Sequence, residues 1–114
     1  MGKMQREKGK VGEREVSAIN RKHGFKDSRR GQQYQGGGDS PDVVGIPGVH
    51  LEVKRVEKLH LWDSLQQATD DSKDGEVPVV VHRANRKPWV AILPYEDFLE
   101  IVKKANLYDG NKES

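Results

Sequence analysis

The sequence 42-DVVGIPGVHLEVKRV-56 predicts the centre of the fold, a hairpin of two β-strands. Residues 42–46 and 49–56 are rich in the β-branched residues that favour strands, and Pro47-Gly48 between them is typical of a tight turn. Hydrophobic residues make up only 33% of the 114-residue chain, so we expect a thin core to which this hairpin contributes strongly. Cysteine is absent, which excludes disulfides and thiolate metal sites.

The segments on either side of the hairpin predict a single α/β domain. Apolar periodicity and end signals indicate helices at residues 10–23, 61–73 and 95–105. Short apolar runs indicate further strands at residues 25–28, 77–82 and 89–93. The order αβββαββα predicts a sandwich with a central mixed β-sheet flanked by helices. We expect residues 1–9 to form a flexible basic arm, residues 10–108 the domain, and residues 109–114 a frayed tail.

Each of the three predicted helices has apolar residues that we expect to face the core. In the first helix the stripe consists of Val11, Val16 and Ile19, with Ala18. In the second helix the inward-facing residues are Leu61, Leu65 and Ala68. The last helix is expected to close the fold with Phe98, Leu99 and Val102.

The charges are unevenly distributed along the chain. Residues 1–35 hold ten Lys or Arg and four Asp or Glu, a net charge of +6, and residues 36–114 carry a net charge of −4. A basic head on a more acidic body favours a protein that meets a polyanion on one face. No apolar run approaches the roughly 18 residues of a membrane span, and the first ten residues have no apolar signal region. We therefore expect a cytoplasmic protein without membrane contact.

Strand alternation places acidic and basic side chains together on one face of the hairpin. Leu51 points to the core face of the strand. Glu52, Lys54 and His50 all point to the opposite face. The hairpin brings Asp42 of the preceding strand beside them. Carboxylate oxygens are the ligands that Mg²⁺ and Mn²⁺ prefer, and an ammonium group can orient a water molecule or hold a phosphate oxygen. These groups are what phosphodiester hydrolysis requires.

Pro41-Asp42, followed by Glu52-Val53-Lys54, resembles the signature of the PD-(D/E)xK nuclease superfamily. Within that superfamily, Lys8-Gly9 ahead of Glu13 and the pair Gln67-Ala68 are similar to motifs of the archaeal and phage Holliday-junction resolvases. The resemblance covers roughly residues 8 to 104 and implies a restriction-endonuclease-like sandwich and an Mg²⁺-dependent endonuclease, with Mn²⁺ able to substitute. It also implies a homodimer acting on branched DNA, in DNA recombination and repair, and suits a phage enzyme.

The resemblance further implies a role for each matching residue. Glu13, Asp42, Glu52 and the carbonyl of Val53 would bind the metal; Lys54 would act on the attacking water, and Gln67 would contact the site or the substrate. Glu15 is a rival of Glu13, because the two side chains lie about 200° apart on a helix and cannot both face the site.

Basic, amide and aromatic side chains near these motifs are candidates for contacts with DNA: Lys8, Lys10, Arg14, Arg29, Arg30, Gln33 and Tyr34. An ordinary polar surface loop is the alternative for residues 29–35. Two alternatives to a resolvase also stay open. One is another nuclease of the superfamily, such as a virus-type replication-repair nuclease or a flap or nicking enzyme, and the other is a nucleic-acid-binding module without catalysis. No small-molecule cofactor is expected.

Overall fold

The computed structural model describes residues 2–31 and 41–105, with side chains from residue 9 onward. The elements follow in the order α1 (Gly2–Lys22), β1 (Arg29–Arg30), β2 (Val43–Val44), β3 (Val49–Arg55), α2 (Leu61–Asp71), β4 (Val77–Arg83), β5 (Val90–Ile92) and α3 (Tyr95–Ala105). The predicted order αβββαββα is therefore confirmed. None of these helices is both long and apolar enough to cross a membrane.

The five strands form one sheet in which each strand lies next to its neighbour in the sequence. The pair β3–β4 is parallel, and the other three pairs are antiparallel. The predicted α/β fold with a central mixed sheet is confirmed. The parallel pair requires a crossover connection, which α2 provides. Both α1 and α2 pack against the central strand β3.

The apolar face of the sheet packs against α1. The core on this side consists of Val16 of α1 with Val43, Leu51, Val53 and Val79 of the strands. The prediction for the α1 stripe was right for Val16 only, since Val11 and Ile19 are 47% and 41% exposed.

The opposite face of the sheet packs against α2 and is much more polar. Ala68 of α2 and Val80 of β4 are fully buried, and the other side chains buried there include His50, Glu52 and Ser64. Glu52 lies beside Val80 in the parallel register of β3 and β4. This face therefore positions the polar side chains of β3, as strand alternation predicted.

Two predicted segments differ from the structure. Helix α1 begins at Gly2, eight residues before the predicted start at residue 10, and so includes residues 2–9 of the segment predicted as a basic arm. This segment is rich in Lys, Arg, Glu, Gln and Met, which favour a solvated helix without producing an apolar period. The strand predicted at residues 25–28 is also wrong, because β1 is Arg29–Arg30, where the backbone pairs with Val43 and Val44.

The last helix does not close the core as predicted. No residue of α3 is buried, and Phe98 and Leu99 are 45% and 40% exposed. Val102 is half-buried. The apolar stripe of α3 is therefore largely exposed, because it forms no extensive contact with the sheet.

The close approach of α1 to the sheet requires glycine at position 12. A Cβ atom at Gly12 would lie 2.9 Å from Cβ of Arg55 and 3.3 Å from Cη2 of Trp89, whereas one at Gly9 would meet nothing within 4 Å. Alanine favours a helix over glycine by about 1 kcal/mol, whereas a side chain forced into the tight contact at position 12 costs about 1–3 kcal/mol.

We expect Gly12→Ala to lower the free energy of unfolding by about 1 kcal/mol, and Gly9→Ala to raise it by up to about 1 kcal/mol. Chemical denaturation of the two variants and the unmodified chain measures both effects. Equal stabilisation by both substitutions would contradict the tight packing of α1 on β3.

Candidate active site

Asp42 is fixed to β3 by two hydrogen bonds. Its own N–H donates to the carbonyl of Leu51 at 2.9 Å, and the N–H of Val53 donates to Oδ2 of Asp42 at 2.8 Å. The side-chain carboxylate thus accepts a bond from the β3 backbone just before β2 begins. The hairpin places Asp42 beside Glu52, as the sequence predicts.

Glu52 is an acid buried in the interior, with only 3% of its surface exposed. The pKa of Glu52 is raised to about 7, first by burial and then by the negative charge of Asp42, while a hydrogen bond with His50 opposes the rise. Placing two carboxylates this close, with one of them buried, is unfavourable when both are ionised. A bound cation would relieve that repulsion.

Glu13 approaches the same place from α1. Burial raises the pKa of Glu13, a hydrogen bond from Arg30 lowers it, and the negative charge of Asp42 raises it. The Nε–H of Arg30 donates to Oε1 of Glu13 at 2.9 Å, so β1 helps to hold this carboxylate. The three predicted acids Glu13, Asp42 and Glu52 therefore form one electrostatically linked group.

Glu15 is held on another side of α1. Nη1 of Arg83 and Nε1 of Trp89 both donate to Oε1 of Glu15, at 2.8 Å and 3.0 Å. These contacts connect α1 to β4 and to the residue before β5. The sequence left Glu13 and Glu15 as alternatives, and the structure brings Glu13 rather than Glu15 to Asp42.

Lys54 and Gln67 line a common cleft between β3 and α2. The cleft has a volume of about 300 Å³, and its other lining residues come from the start of α2 and the segment before it. Neighbouring Gln66 points elsewhere, because its Nε2 donates to Oδ1 of Asp70 along the helix. The structure therefore places Gln67 on the same cleft as Lys54, and the contact expected of Gln67 with the site or the substrate stays a prediction.

His50, Glu52 and Asp71 form a group that could hold a metal ion. One ligand atom from each residue lies within 4.8 Å of the other two, and His50 and Glu52 are buried. The sequence indicated that His50 shares a face with Glu52, but it did not indicate Asp71. Asp71 is the last residue of α2, and only the packing of α2 on the sheet brings it to β3.

Val53 belongs to the core through its side chain and contacts Asp42 through its backbone. Its side chain is buried against α1, and its N–H is bonded to Asp42. The role expected for its carbonyl as a metal ligand stays a prediction.

The residues expected to contact DNA are only partly described by the structure. Lys10, Arg14 and Arg29 are exposed, and Arg30 is half-buried in its contact with Glu13. The Lys8 side chain, Gln33 and Tyr34 lie outside the described residues. Three exposed cations thus lie on α1, which contains Glu13, and on β1, which contains its partner Arg30.

Comparison of the chain with protein-family models, with curated proteins and with solved structures found no match.

The raised pKa of Glu52 predicts that the fold loses stability as the pH rises. The folded state holds the proton up to about pH 7 and the unfolded chain only up to 4.5, so stability falls between these values. At ~1.4 kcal/mol for each pH unit, we expect the free energy of unfolding to fall by roughly 2–3 kcal/mol more than in Glu52→Gln. Urea denaturation at pH 4.5 and pH 8 measures this, and an equal pH dependence in both proteins would contradict it.

Proposed function

We propose that the chain is a divalent-metal-dependent endonuclease that hydrolyses phosphodiester bonds in DNA. The observation that carries this proposal is that the charge of Asp42 acts on both Glu13 and Glu52, with Lys54 two residues beyond Glu52 on β3. Such an arrangement destabilises the fold unless a cation binds to it, which is typical of a functional site rather than a structural one.

The donors fit Mg²⁺, with Mn²⁺ as a substitute, because carboxylate oxygens are the hard ligands that these ions prefer. A divalent cation bound there would stabilise the negative charge that develops on the phosphate during hydrolysis.

The other residues of the site would position the reactants. The ammonium group of Lys54 would orient the attacking water or hold a phosphate oxygen, and Gln67 would contact the substrate from the opposite wall of the cleft. Arg30 would keep the carboxylate of Glu13 in place through its 2.9 Å hydrogen bond.

We propose that the substrate is branched DNA, cut by a homodimer, as the resemblance to Holliday-junction resolvases implies. The exposed cations Lys10, Arg14 and Arg29 support contact with a phosphate backbone near the acids. The exposed apolar stripe of α3 supports a dimer, because an uncovered stripe of this kind is typical of an interface.

The first test is cleavage of a panel of labelled DNAs, comprising a four-way junction, a flap, a linear duplex and a single strand, with and without Mg²⁺. We expect Mg²⁺-dependent paired cuts in the junction. Asp42→Asn and Glu52→Gln should lower the cleavage rate by at least roughly 100-fold while junction binding in gel-shift assays persists. Asp70→Asn is the matched control, because Asp70 is exposed and bonded to Gln66, and it should cleave normally.

Each result in this panel leads to a definite conclusion. Cleavage that persists in both Asp42→Asn and Glu52→Gln would refute the site. Metal-dependent cuts in flaps or duplex as rapid as those in the junction, made by a monomer, would indicate a flap or nicking nuclease. Binding without cleavage of any DNA would indicate a binding module without catalysis.

The two carboxylates of α1 allow a second test on one helix. We expect Glu13→Gln to lower the cleavage rate by at least roughly tenfold, because it removes an acid from the site. Glu15→Gln should keep its activity and lose at most about 1 kcal/mol of stability, because its partners Arg83 and Trp89 lie away from Asp42. The reverse pattern would show that the wrong acid has been assigned.

A further inference from the structure

The side chains of His50 and Glu52 form a buried pair on the α2 side of β3. Nε2 of His50 lies 2.7 Å from Oε1 of Glu52, and the two side chains are only 1% and 4% exposed. Asp71 offers a carboxylate oxygen within 4.8 Å of both atoms. A nitrogen and two oxygens from three residues thus surround one point, which is a different donor set from the three carboxylates at Asp42.

The orientation of the imidazole ring suits a metal ligand. While Nε2 points to Glu52, Nδ1 lies 3.9 Å from Oε1 of Glu76 on the other side of the ring. Histidines that bind metals commonly turn their second nitrogen to a carboxylate, which fixes the ring and makes the ligating nitrogen more basic. Oε1 of Glu76 lies beyond hydrogen-bond distance of Nδ1 and has to approach by roughly 1 Å to play that part.

The position of Asp71 also favours a cation. It is the last residue of α2, where the helix dipole presents its negative end. The last turn of α2 contains no basic residue to balance these charges. A carboxylate at this end of a helix is unfavourable by a few tenths to about 1 kcal/mol unless a cation binds there.

We propose that His50, Glu52 and Asp71 form a binding site for a transition-metal ion of the Zn²⁺ class, backed by Glu76. An imidazole nitrogen favours Zn²⁺ over Mg²⁺, which prefers oxygen ligands throughout. Ligands at Zn²⁺ distances lie roughly 3–4 Å apart, so Nε2 of His50 and Oε1 of Glu52 have to separate from 2.7 Å, and the half-buried Asp71 carboxylate, within 4.8 Å of both, has to move closer. The ion lies between Nε2 of His50 and Oε1 of Glu52, and water completes the coordination.

This site exists whether or not the chain cleaves DNA, so binding can be tested without any nuclease assay. Glu52 belongs to both groups of ligands. Asp42 and Glu13 lie with the first group, and His50 and Asp71 with the second, so separate substitutions distinguish the two.

The test is calorimetric titration of the whole chain with ZnCl₂ alone and with MgCl₂ alone, together with ¹⁵N spectra of the histidine rings. We expect one Zn²⁺ to bind at least about tenfold more tightly than Mg²⁺ and to shift the Nε2 resonance of His50. Asp71→Asn should weaken Zn²⁺ binding by at least about tenfold, and His50→Gln by more. Asp70→Asn, one residue away, should bind Zn²⁺ as the unmodified chain does.

Several results would overturn the proposal. One is equal Zn²⁺ affinity in Asp71→Asn and Asp70→Asn. Another is Zn²⁺ that shifts the ring of His60 or His82 and leaves His50 unchanged. A third is Zn²⁺ affinity that falls in Asp42→Asn and not in Asp71→Asn, which would place the ion with the other acids. The Asp71 variants and the ring spectra decide the question even if His50→Gln fails to fold.

Discussion

The hydrogen bond from the Val53 N–H to the Asp42 carboxylate holds this acid against the central strand β3, beside Glu52. Strand β2 is only two residues long, and this bond continues its attachment to β3 beyond the paired backbone. The carboxylate that forms the bond is also the one whose charge raises the pKa of Glu52 and of Glu13. The Asp42 side chain therefore both attaches its segment to the sheet and adds a negative charge next to Glu52 and Glu13.

The two faces of the sheet bury different kinds of side chain. The α1 face buries aliphatic side chains and contributes most of the hydrophobic stabilisation. The α2 face buries His50, Glu52 and Ser64 with few apolar residues, so it contributes less. Because 3% exposure leaves Glu52 almost no contact with water, its ionised form depends on neighbouring groups. The core on this face is therefore weaker, and two of its buried polar residues, His50 and Glu52, belong to the group that could hold a metal ion.

Local patterns in the sequence were enough to predict much of the fold. The alternation in β3 separated Leu51 from Glu52 correctly, and the order of helices and strands was right throughout. The bounds of α3 also agreed with the prediction, whereas its packing did not, since a periodic stripe indicates a helix without indicating what covers it. The start of α1 was missed because a charged, solvated helix has no apolar period.

The candidate site was predictable only where its residues are close in sequence. Asp42, Glu52 and Lys54 lie on one hairpin, so its register determines their placement. Glu13 required the resemblance to be chosen over Glu15, and the structure distinguishes the two by the interaction of Glu13 with Asp42 and the contacts of Glu15 with Arg83 and Trp89. Asp71 had no signal, because its distance from Glu52 depends on how the end of α2 packs on the sheet.

The contacts of Glu15 also bear on how the chain folds. Its bonds join residues 68 and 74 positions apart in the sequence, whereas Glu13 reaches a partner only 17 positions away. Closing the longer loops costs more chain entropy, and contacts between such distant residues are typical of late steps in folding. During synthesis, α1 can meet β1 early but cannot complete its bonds until residue 89 has emerged. The acids near Asp42 would then come together before the helix that carries Glu13 is fully anchored.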